Sequence, residues 1–251
     1  MTYSEKSLVP AQPSAYLYVL RKINDMPKAE EYSRSDHELS AVKVIDNVEI
    51  SPGVYLLSWR QNGAFIPGQV VKVATDRLQP PRIYSVCNGN LEDRISILFN
   101  IKEDGYLTPR LGASIPGDVL LVSHPYGSFH GDHTPAWWIA TGTGIAPFYS
   151  MFQSGLSDHK ILIHGAKYLN QFYFEDELEW AMGNNYIRCC SREQSCNVFP
   201  GRITDYLLAL NQFPKDYKYY LCGKSLMVVE MRDILISKGI PYENIFAEIY
   251  F

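Results

Sequence analysis

The hydrophobic pattern of the chain changes near residues 131–135, and this change constrains the fold more than any other feature. Before it, from residue 38 to about 129, short runs of Val, Ile, Leu and Tyr are bounded by Gly, Pro, Asn and Asp, which is typical of β-strands joined by turns. After it, short apolar runs alternate with stretches of helical length, which predicts a parallel, doubly wound sheet. We therefore expect an antiparallel β-barrel domain over residues 38–132 and an α/β doubly wound domain over residues 133–251.

The same pattern predicts the individual elements. In the first half, strands are predicted over residues 41–50, 54–61, 68–75, 82–88, 94–102 and 118–123, with a helical turn over 108–111. In the second half, strands are predicted over 136–140, 160–164, 186–190 and 219–222, and a last segment over 244–251. Helices are predicted up to Gln153 and over residues 172–182, 202–210 and 226–238.

Residues 1–37 contain no sustained apolar block and include five acidic residues, which indicates neither a secretory signal nor a transit peptide. We interpret them as an N-terminal extension that wraps onto the body, with a helix or strand over 17–26.

The net charge of -4 argues against a dedicated nucleic-acid binder. No apolar run reaches the roughly 18–20 residues of a membrane-spanning helix. The five cysteines form no regular framework, which favours a reducing compartment, the cytoplasm.

A glycine-containing segment, Thr-Gly-Thr-Gly-Ile-Ala-Pro from Thr141 to Pro147, lies between a predicted strand and a predicted helix. Glycines there let the backbone approach a pyrophosphate, and free N–H groups at the helix start attract its charge. Pro147 suits the first turn of a helix, because its missing donor costs little there. A tight strand–helix turn also needs glycine for steric reasons, so a nucleotide site and a plain turn both remain open.

Basic residues follow the predicted strand ends of the second half. Lys167 comes where NAD sites of the dinucleotide-binding type usually carry an acid that holds the ribose. Ser191 and Arg192 follow the third strand, and Arg202 begins a helix. Cations that converge at one sheet edge would bind a 2′-phosphate, so this pattern favours NADP. Three separate solvated surface bases are the alternative.

Two further motifs lie in the first half. Alternation along the predicted strand Arg82-Ile83-Tyr84-Ser85 puts Arg82 and Tyr84 on one face and Ser85 on the other. Arg82 could hold a phosphate and Tyr84 could stack on a flavin, although a strand tyrosine is more often a core residue. The segment from Gly105 to Leu111 resembles a helix start capped by Thr108, which either binds a pyrophosphate or is an ordinary capped turn.

In their order along the chain, these motifs resemble the bacterial ferredoxin/flavodoxin–NADP reductases over about residues 38–251. The matching pieces are Arg82-x-Tyr84-Ser85, Gly105-x-x-Thr108-x-x-Leu111, the Gly142–Pro147 loop, Ser191-Arg192-Glu193, Gly201-Arg202, Cys222-Gly223 and the aromatic C-terminus. The resemblance implies an FAD-binding barrel followed by an NADP-binding domain. It implies electron transfer between NADPH and a ferredoxin or flavodoxin. From charge and hydropathy we expect no nucleic-acid or membrane partner, and we favour a monomer.

The resemblance also implies roles for individual residues. Ser85, Cys222, Glu248 and Tyr250 would surround the reacting flavin and nicotinamide, with Tyr250 covering the isoalloxazine and Phe251 stacking on the FAD adenine, or the reverse. FAD would be held by Arg82, Ile83, Tyr84, Ser85, Leu98, Tyr106, Leu107 and Thr108. NADP would be held by Thr141, Gly142, Thr143, Gly144, Pro147, Lys167, Ser191, Arg192, Arg202, Cys222 and Gly223. Lys167 departs from the family pattern, because many members carry arginine there and lysine offers only a point charge.

The cysteines and histidines are not expected to form a metal site. The cysteines lack the spacing of an iron–sulfur cluster, and Cys87 and Cys222 are expected to pack as small hydrophobes. His130, His133 and His164 are expected to be structural or surface residues rather than ligands. Two alternative functions stay open: a reductase of free flavin or of an oxygenase on the same scaffold, and a flavin-binding interaction module without turnover.

Overall fold

The structure, a computed structural model, describes residues 38–61 and 63–250. The predicted N-terminal extension, with its helix or strand over 17–26, lies outside the described residues, and so does Phe251.

The first sheet is antiparallel and consists of six strands. They are β1 (Ser40–Ser51), β2 (Val54–Arg60), β3 (Val70–Ala74), β4 (Arg82–Ser85), β5 (Arg94–Asn100) and β6 (Val119–Val122), in the order β4-β3-β6-β1-β2-β5. Just beyond β4, Val86 forms an antiparallel bridge with Ile97 of β5, and the Cys87 N–H donates to the Ser96 carbonyl at 2.8 Å. Because this bridge joins the two outer strands, the sheet closes on itself, and the predicted barrel is confirmed. Helix α1 (Leu107–Gly112) lies between β5 and β6.

The second sheet is parallel, as predicted. Its strands are β7 (Ala136–Thr141), β8 (Lys160–Ala166), β9 (Tyr186–Cys190), β10 (Val198–Pro200), β11 (Lys218–Lys224) and β12 (Ile245–Tyr250), in the order β10-β9-β8-β7-β11-β12. The helices are α2 (Ala146–Gln153), α3 (Glu175–Met182), α4 (Ile203–Ala209) and α5 (Ser225–Ser237). Short 3₁₀ helices cover Gly142–Ile145, Leu169–Gln171, Gly183–Asn185 and Tyr242–Asn244.

The sequence-based prediction of the second half is wrong in two places. It missed β10, a strand of three residues that is too short to produce a periodic signal. It also began α3 at residue 172, whereas the helix begins at Glu175. Phe174 adopts a left-handed conformation with φ of 63°, which a helix interior does not accept, and this residue delays the start.

One hydrophobic core extends across both sheets. Val54, Cys87 and Leu98 of the first half pack in the same buried group as Trp138 and Phe148 of the second half. A buried hydrogen bond also joins the halves, because the Ser150 Oγ of α2 donates to the Asn88 carbonyl at 2.7 Å. The strands of the two sheets are separated by the segment between Val122 and Ala136, and the boundary at residue 132 stays a prediction within it.

All five cysteines lie among the described residues, and none of them forms a disulfide. Cys87 and Cys222 are buried, as expected. Of the helices that the structure describes, none combines the length and the apolar character that crossing a membrane would require.

Candidate active site

The order of the parallel strands fixes where a ligand can bind. From β7 the chain proceeds through β8 and β9 to β10 on one side, and then crosses to β11 and β12 on the other. The carboxyl ends of β7 and β11 therefore flank the point at which the strand order reverses. In sheets of this type, such a switch point opens a crevice that binds ligands. The Gly142–Ile145 turn follows β7, and the pairing of β11 with β7 ends at Cys222, so this turn and the Cys222-Gly223 motif both lie at this point.

The four residues predicted to surround the reacting flavin and nicotinamide lie in contact where the barrel meets the parallel sheet. The Ser85 Oγ, at the end of β4 in the barrel, donates to the Glu248 Oε2 at 2.9 Å. It also lies 2.6 Å from the Tyr250 hydroxyl. When Ser85 donates to Glu248, its single proton is used, so Tyr250 is the donor to Ser85. The Cys222 Sγ lies 3.9 Å from the same Glu248 oxygen.

The register of the last strand brings these groups together. Cys222 of β11 lies opposite Glu248 of β12, and Lys224 lies opposite Tyr250. Glu248 and Tyr250 are two residues apart, so their side chains point to the same face of the strand. Ser85 reaches this face from the barrel, 163 residues away from Glu248 in sequence.

Burial determines which of the ionisable side chains in this cluster carry a proton. It raises the pKa of Glu248 to about 7, although the hydrogen bond from Ser85 works in the opposite direction. Burial, together with the nearby Glu248 carboxylate, also raises the pKa of the Cys222 thiol well above its usual value. Burial likewise raises the pKa of the Tyr250 hydroxyl. At neutral pH the site therefore holds a protonated thiol, a protonated phenol and a carboxyl group near its midpoint of titration.

The glycine loop after β7 is held against β11. A Cβ atom on Gly144 would lie 2.7 Å from the Cys222 carbonyl carbon and 2.8 Å from the Gly223 Cα, closer than real side chains approach backbone. Gly142 has a φ of 56°, a left-handed conformation that favours glycine. Pro147 lies in the first turn of α2, as predicted. The loop can therefore bring backbone N–H groups close to a ligand in the crevice.

The predicted cations occupy one edge of the sheet. Lys167 follows β8, Ser191 and Arg192 follow β9, and Arg202 follows β10, and these three strands are neighbours. All four side chains are exposed. Within residues 38–61 and 63–250, no ion pair involves Lys167, Arg192 or Arg202. Exposed cations without acidic partners at one edge are an arrangement suited to a phosphate group.

On the barrel, the two predicted FAD motifs lie beside each other. The Tyr106 hydroxyl donates to Asp76 in the loop that joins β3 and β4, which brings the start of α1 next to the strand of Arg82. Arg82 is exposed, and Ile83 is 57% exposed. Tyr84 is half-buried and packs edge-to-face on Phe99, with ring centroids 6.2 Å apart.

Three sequence-based assignments change in detail. Thr108 does not cap α1: it is the second residue of the helix, and its Oγ1 accepts the Lys102 N–H at 2.8 Å from the preceding turn. The helix therefore begins one residue earlier than its predicted cap. Leu98 is 3% exposed, and its side chain packs in the core. Exposure along β4 does not follow the predicted alternation, because Arg82 and Ile83 are both exposed, Tyr84 is half-buried and Ser85 is buried.

Two further residues near the site, His164 and Tyr126, have no functional role predicted from the sequence. His164 is fully buried, so its interpretation as a surface residue is wrong and the structural one is right. Its Nδ1 lies 3.0 Å from the Tyr186 hydroxyl, and burial lowers its pKa to about 3, so the ring is neutral. The Tyr126 hydroxyl lies near Glu248. Burial is the main cause that raises the pKa of Tyr126, and the negative charge of Glu248 raises it further. Neither residue belongs to a recognisable motif, so only three-dimensional proximity identifies them.

Comparisons with known proteins find similar oxidoreductases. Residues 138–233 match a family model described as "Oxidoreductase NAD-binding domain". The chain is 29% identical over 209 residues to a ferredoxin–NADP reductase of Pseudomonas aeruginosa, covering 70% of this chain and 80% of the relative. It is 25% identical to the xylene/toluene monooxygenase electron transfer component of Pseudomonas putida, covering 98% of this chain and 67% of the relative.

Solved structures share the fold. A ferredoxin NADP+ reductase from Neisseria gonorrhoeae with bound FAD and NADP superposes with a TM-score of 0.76 at 20% identity, covering 86% of this chain and all of the other. This similarity extends over both sheets, which agrees with the two-part architecture described above.

Proposed function

We propose that the chain is a member of the ferredoxin–NADP reductase family of oxidoreductases, and that it is an FAD enzyme that passes electrons from NADPH to a ferredoxin or a flavodoxin. The observation that carries this proposal is the contact of Ser85, from the barrel, with Glu248 and Tyr250, from the parallel sheet. This contact brings protonated and ionisable groups together at a junction where a ligand of each half could meet the other. The five free cysteines suit action in the reducing cytoplasm.

The residues on the barrel fit FAD. Arg82 is exposed at the start of β4 and has no ion pair among the residues that the structure describes. Ile83 beside it is 57% exposed, and Leu78 in the preceding loop is 86% exposed. A guanidinium next to uncovered apolar side chains suits a ligand with both a pyrophosphate and a planar ring system. In this proposal Arg82 binds the pyrophosphate, Tyr84 packs on the ring, and the backbone of Tyr106 and Leu107 adds further contacts.

Bound FAD would accept two electrons as a hydride and release them one at a time to the carrier. The protein's own groups orient the reactants and exclude water. Ser85 places its hydroxyl between Tyr250 and Glu248, which fixes both groups at the crevice. Gly144 and Gly223 let the turn after β7 lie directly against the end of β11, since a Cβ on Gly144 would meet the Cys222 backbone and one on Gly223 the Thr141 side chain. In this proposal the nicotinamide lies beside Cys222. Such orientation accounts for a large share of the rate in reactions between two bound rings.

Preference for NADPH over NADH would come from the basic residues that follow β8, β9 and β10 at one edge of the parallel sheet. Lys167, Arg192 and Arg202 together would bind the 2′-phosphate that NADH lacks, and Ser191 would donate a hydroxyl hydrogen bond. Lys167 supplies a compact charge on a flexible stem instead of the fork of an arginine. In this proposal Arg192 and Arg202 therefore contribute most of the directional hydrogen bonds.

A second candidate function is supply of electrons to an oxygenase. It is favoured by the match to the monooxygenase electron transfer component, which extends over 98% of this chain. The two functions differ in the protein that accepts the electrons, whereas the flavin and nicotinamide chemistry is shared.

Steady-state kinetics with both nucleotides test the proposal. The purified protein should contain FAD and oxidise NADPH at least about tenfold more efficiently than NADH, the selectivity that a well-placed phosphate contact supplies. Arg192→Ala should lower kcat/KM for NADPH by about tenfold and leave that for NADH within twofold. Arg60→Ala is the matched control, because this exposed arginine pairs with Asp93 in the barrel.

The acceptor is tested in the same assay with a ferredoxin, a flavodoxin and free FMN. Faster reduction of a carrier protein than of FMN supports the first function. Equal use of NADH would contradict the assigned phosphate site. A yellow protein that oxidises neither nucleotide would instead be a flavin-binding module without turnover.

A further inference from the structure

The loop after β8, residues 167–171, is fixed by side chains on several sides. The Cys190 Sγ at the end of β9 donates to the Lys167 carbonyl at 3.2 Å. The Gln171 Oε1 accepts the Lys167 N–H, also at 3.2 Å. The Ser191 N–H donates to the Ala166 carbonyl at 3.1 Å. The backbone of Lys167 is therefore held, while its side chain is exposed to solvent.

The shortest contact to this loop comes from Glu193, which is exposed in the loop after β9. Its Oε2 accepts the Leu169 N–H at 2.6 Å. Leu169 begins a 3₁₀ helix, so its N–H has no partner within that helix. A carboxylate bound to a backbone N–H forms a charge-assisted hydrogen bond, which is shorter and stronger than a neutral one. Glu193 thus joins the loops that follow two neighbouring strands.

Glu193 forms no ion pair with Lys167 or Arg192 within the described part of the chain. Its charge is instead directed at the Leu169 backbone. Two effects on a nearby phosphate are opposed: the negative charge repels it, and the hydrogen bond fixes the loop that presents Lys167. An exposed charge is screened by water and salt, whereas loss of the hydrogen bond releases the backbone itself. We therefore expect the effect on loop position to dominate.

We infer that Glu193 is a positioning residue for nucleotide selectivity: it holds the 167–171 loop so that the Lys167 ammonium faces the 2′-phosphate. This inference rests on the proposed function, because it assumes that the nucleotide is NADPH. Glu193 itself does not touch the nucleotide in this arrangement.

Two substitutions separate the hydrogen bond from the charge. Glu193→Ala removes both, and Glu193→Gln keeps an acceptor oxygen without the charge. For Glu193→Ala, KM for NADPH should rise about fivefold, with kcat and the KM for NADH within twofold of wild type. For Glu193→Gln, KM for NADPH should stay within about twofold of wild type. Glu230→Ala, which removes an exposed acid on α5, is the matched control and should change neither parameter.

Hydrogen–deuterium exchange supplies a readout that does not depend on activity. The amides of residues 168–171 should exchange faster in Glu193→Ala than in wild type, and the glutamine variant should restore most of the protection. A lower KM for NADPH in both variants would show that charge repulsion dominates and would overturn the inference. Unchanged KM and unchanged exchange in Glu193→Ala would overturn it as well.

Different results would reject the proposed function and the inference about Glu193. A wild-type protein without preference for NADPH would reject the assigned phosphate site, and the inference with it. A wild-type protein that prefers NADPH, with the preference intact in Glu193→Ala, would reject the inference alone.

Discussion

Burial raises the pKa of Glu248 to about 7, while Ser85 donates a hydrogen bond to its carboxylate. A buried carboxyl group with a raised pKa binds a proton more tightly in the folded than in the unfolded chain. The folded state is therefore favoured at low pH, and this contribution is lost as the pH rises from about 4.5, the unfolded value, to about 7. Above that range, the folded protein retains a buried carboxylate.

A glutamine at position 248 would mimic the protonated form at every pH. Between pH 5 and pH 8, the free energy of unfolding of wild type should fall by up to about 3 kcal/mol relative to that of Glu248→Gln. Urea unfolding of both proteins at several pH values measures this difference. Parallel pH profiles would show that Glu248 has an ordinary pKa in the folded protein.

At the scale of single residues, sequence motifs identified which side chains to consider but not what they contact. Ser85 and Glu248 are far apart in the chain, and nothing in either local motif indicates their hydrogen bond. Glu193 belongs to a recognised motif, yet its bond to Leu169 depends on the relative position of two loops. The ring of His164 is polar and argues for the surface, whereas its position inside the apolar strand β8 is the signal that agrees with its burial.

At the scale of the element, the turn between β7 and α2 combines two different demands on glycine. Gly144 is close to the backbone of β11, which cannot move aside without breaking the sheet. Gly142 has open space around it but a left-handed backbone. The two positions therefore separate steric contact from backbone conformation within one turn.

Gly144→Ala should destabilise the protein by about 3 kcal/mol, at the upper end of the cost of overpacking, and should weaken nucleotide binding. Gly142→Ala should cost only about 1 kcal/mol, from the left-handed conformation alone. Thermal unfolding and titration with 2′,5′-ADP measure the two effects. Equal loss of stability in both variants would contradict the close approach of Gly144 to Cys222 and Gly223.

Elements with a repeated hydrophobic period were predicted well, and short or irregular ones were not. The strands around Trp138, Leu162 and Leu221 are short, largely apolar runs bounded by turn residues, a pattern typical of buried parallel strands. β10 has three residues, and its pairing with β9 rather than its own composition makes it a strand. The start of α3 depends on a single left-handed residue, Phe174, which composition does not reveal.

At the scale of the whole molecule, the two sheets share one core. Val54 and Leu98 of the barrel pack with Trp138 and Phe148 of the parallel half, and Ser150 bonds to Asn88 across the junction. Sequence periodicity predicted the two architectures separately. It could not predict the shared core, because the contacts depend on how the two surfaces fit.

The shared core predicts that the halves unfold together. Loss of ellipticity and release of FAD should coincide in urea, within the error of the midpoint. Ser150→Ala leaves the Asn88 carbonyl without its hydrogen bond and should lower both midpoints by the equivalent of about 1–2 kcal/mol. Ser237→Ala, at an exposed serine that ends α5, is the matched control. Two separate transitions would show that the halves are independent.

β12 pairs only with β11, and therefore forms an edge of the parallel sheet among the strands that the structure describes. Strands at an edge open locally with less free energy than central strands, because one row of hydrogen bonds holds them instead of two. Tyr250 ends this strand, so its displacement breaks the contacts at one tip and leaves β7, β8 and β11 intact. Access to the crevice beside Cys222 can thus follow local opening at the carboxyl end of β12, without rotation of one half of the molecule against the other.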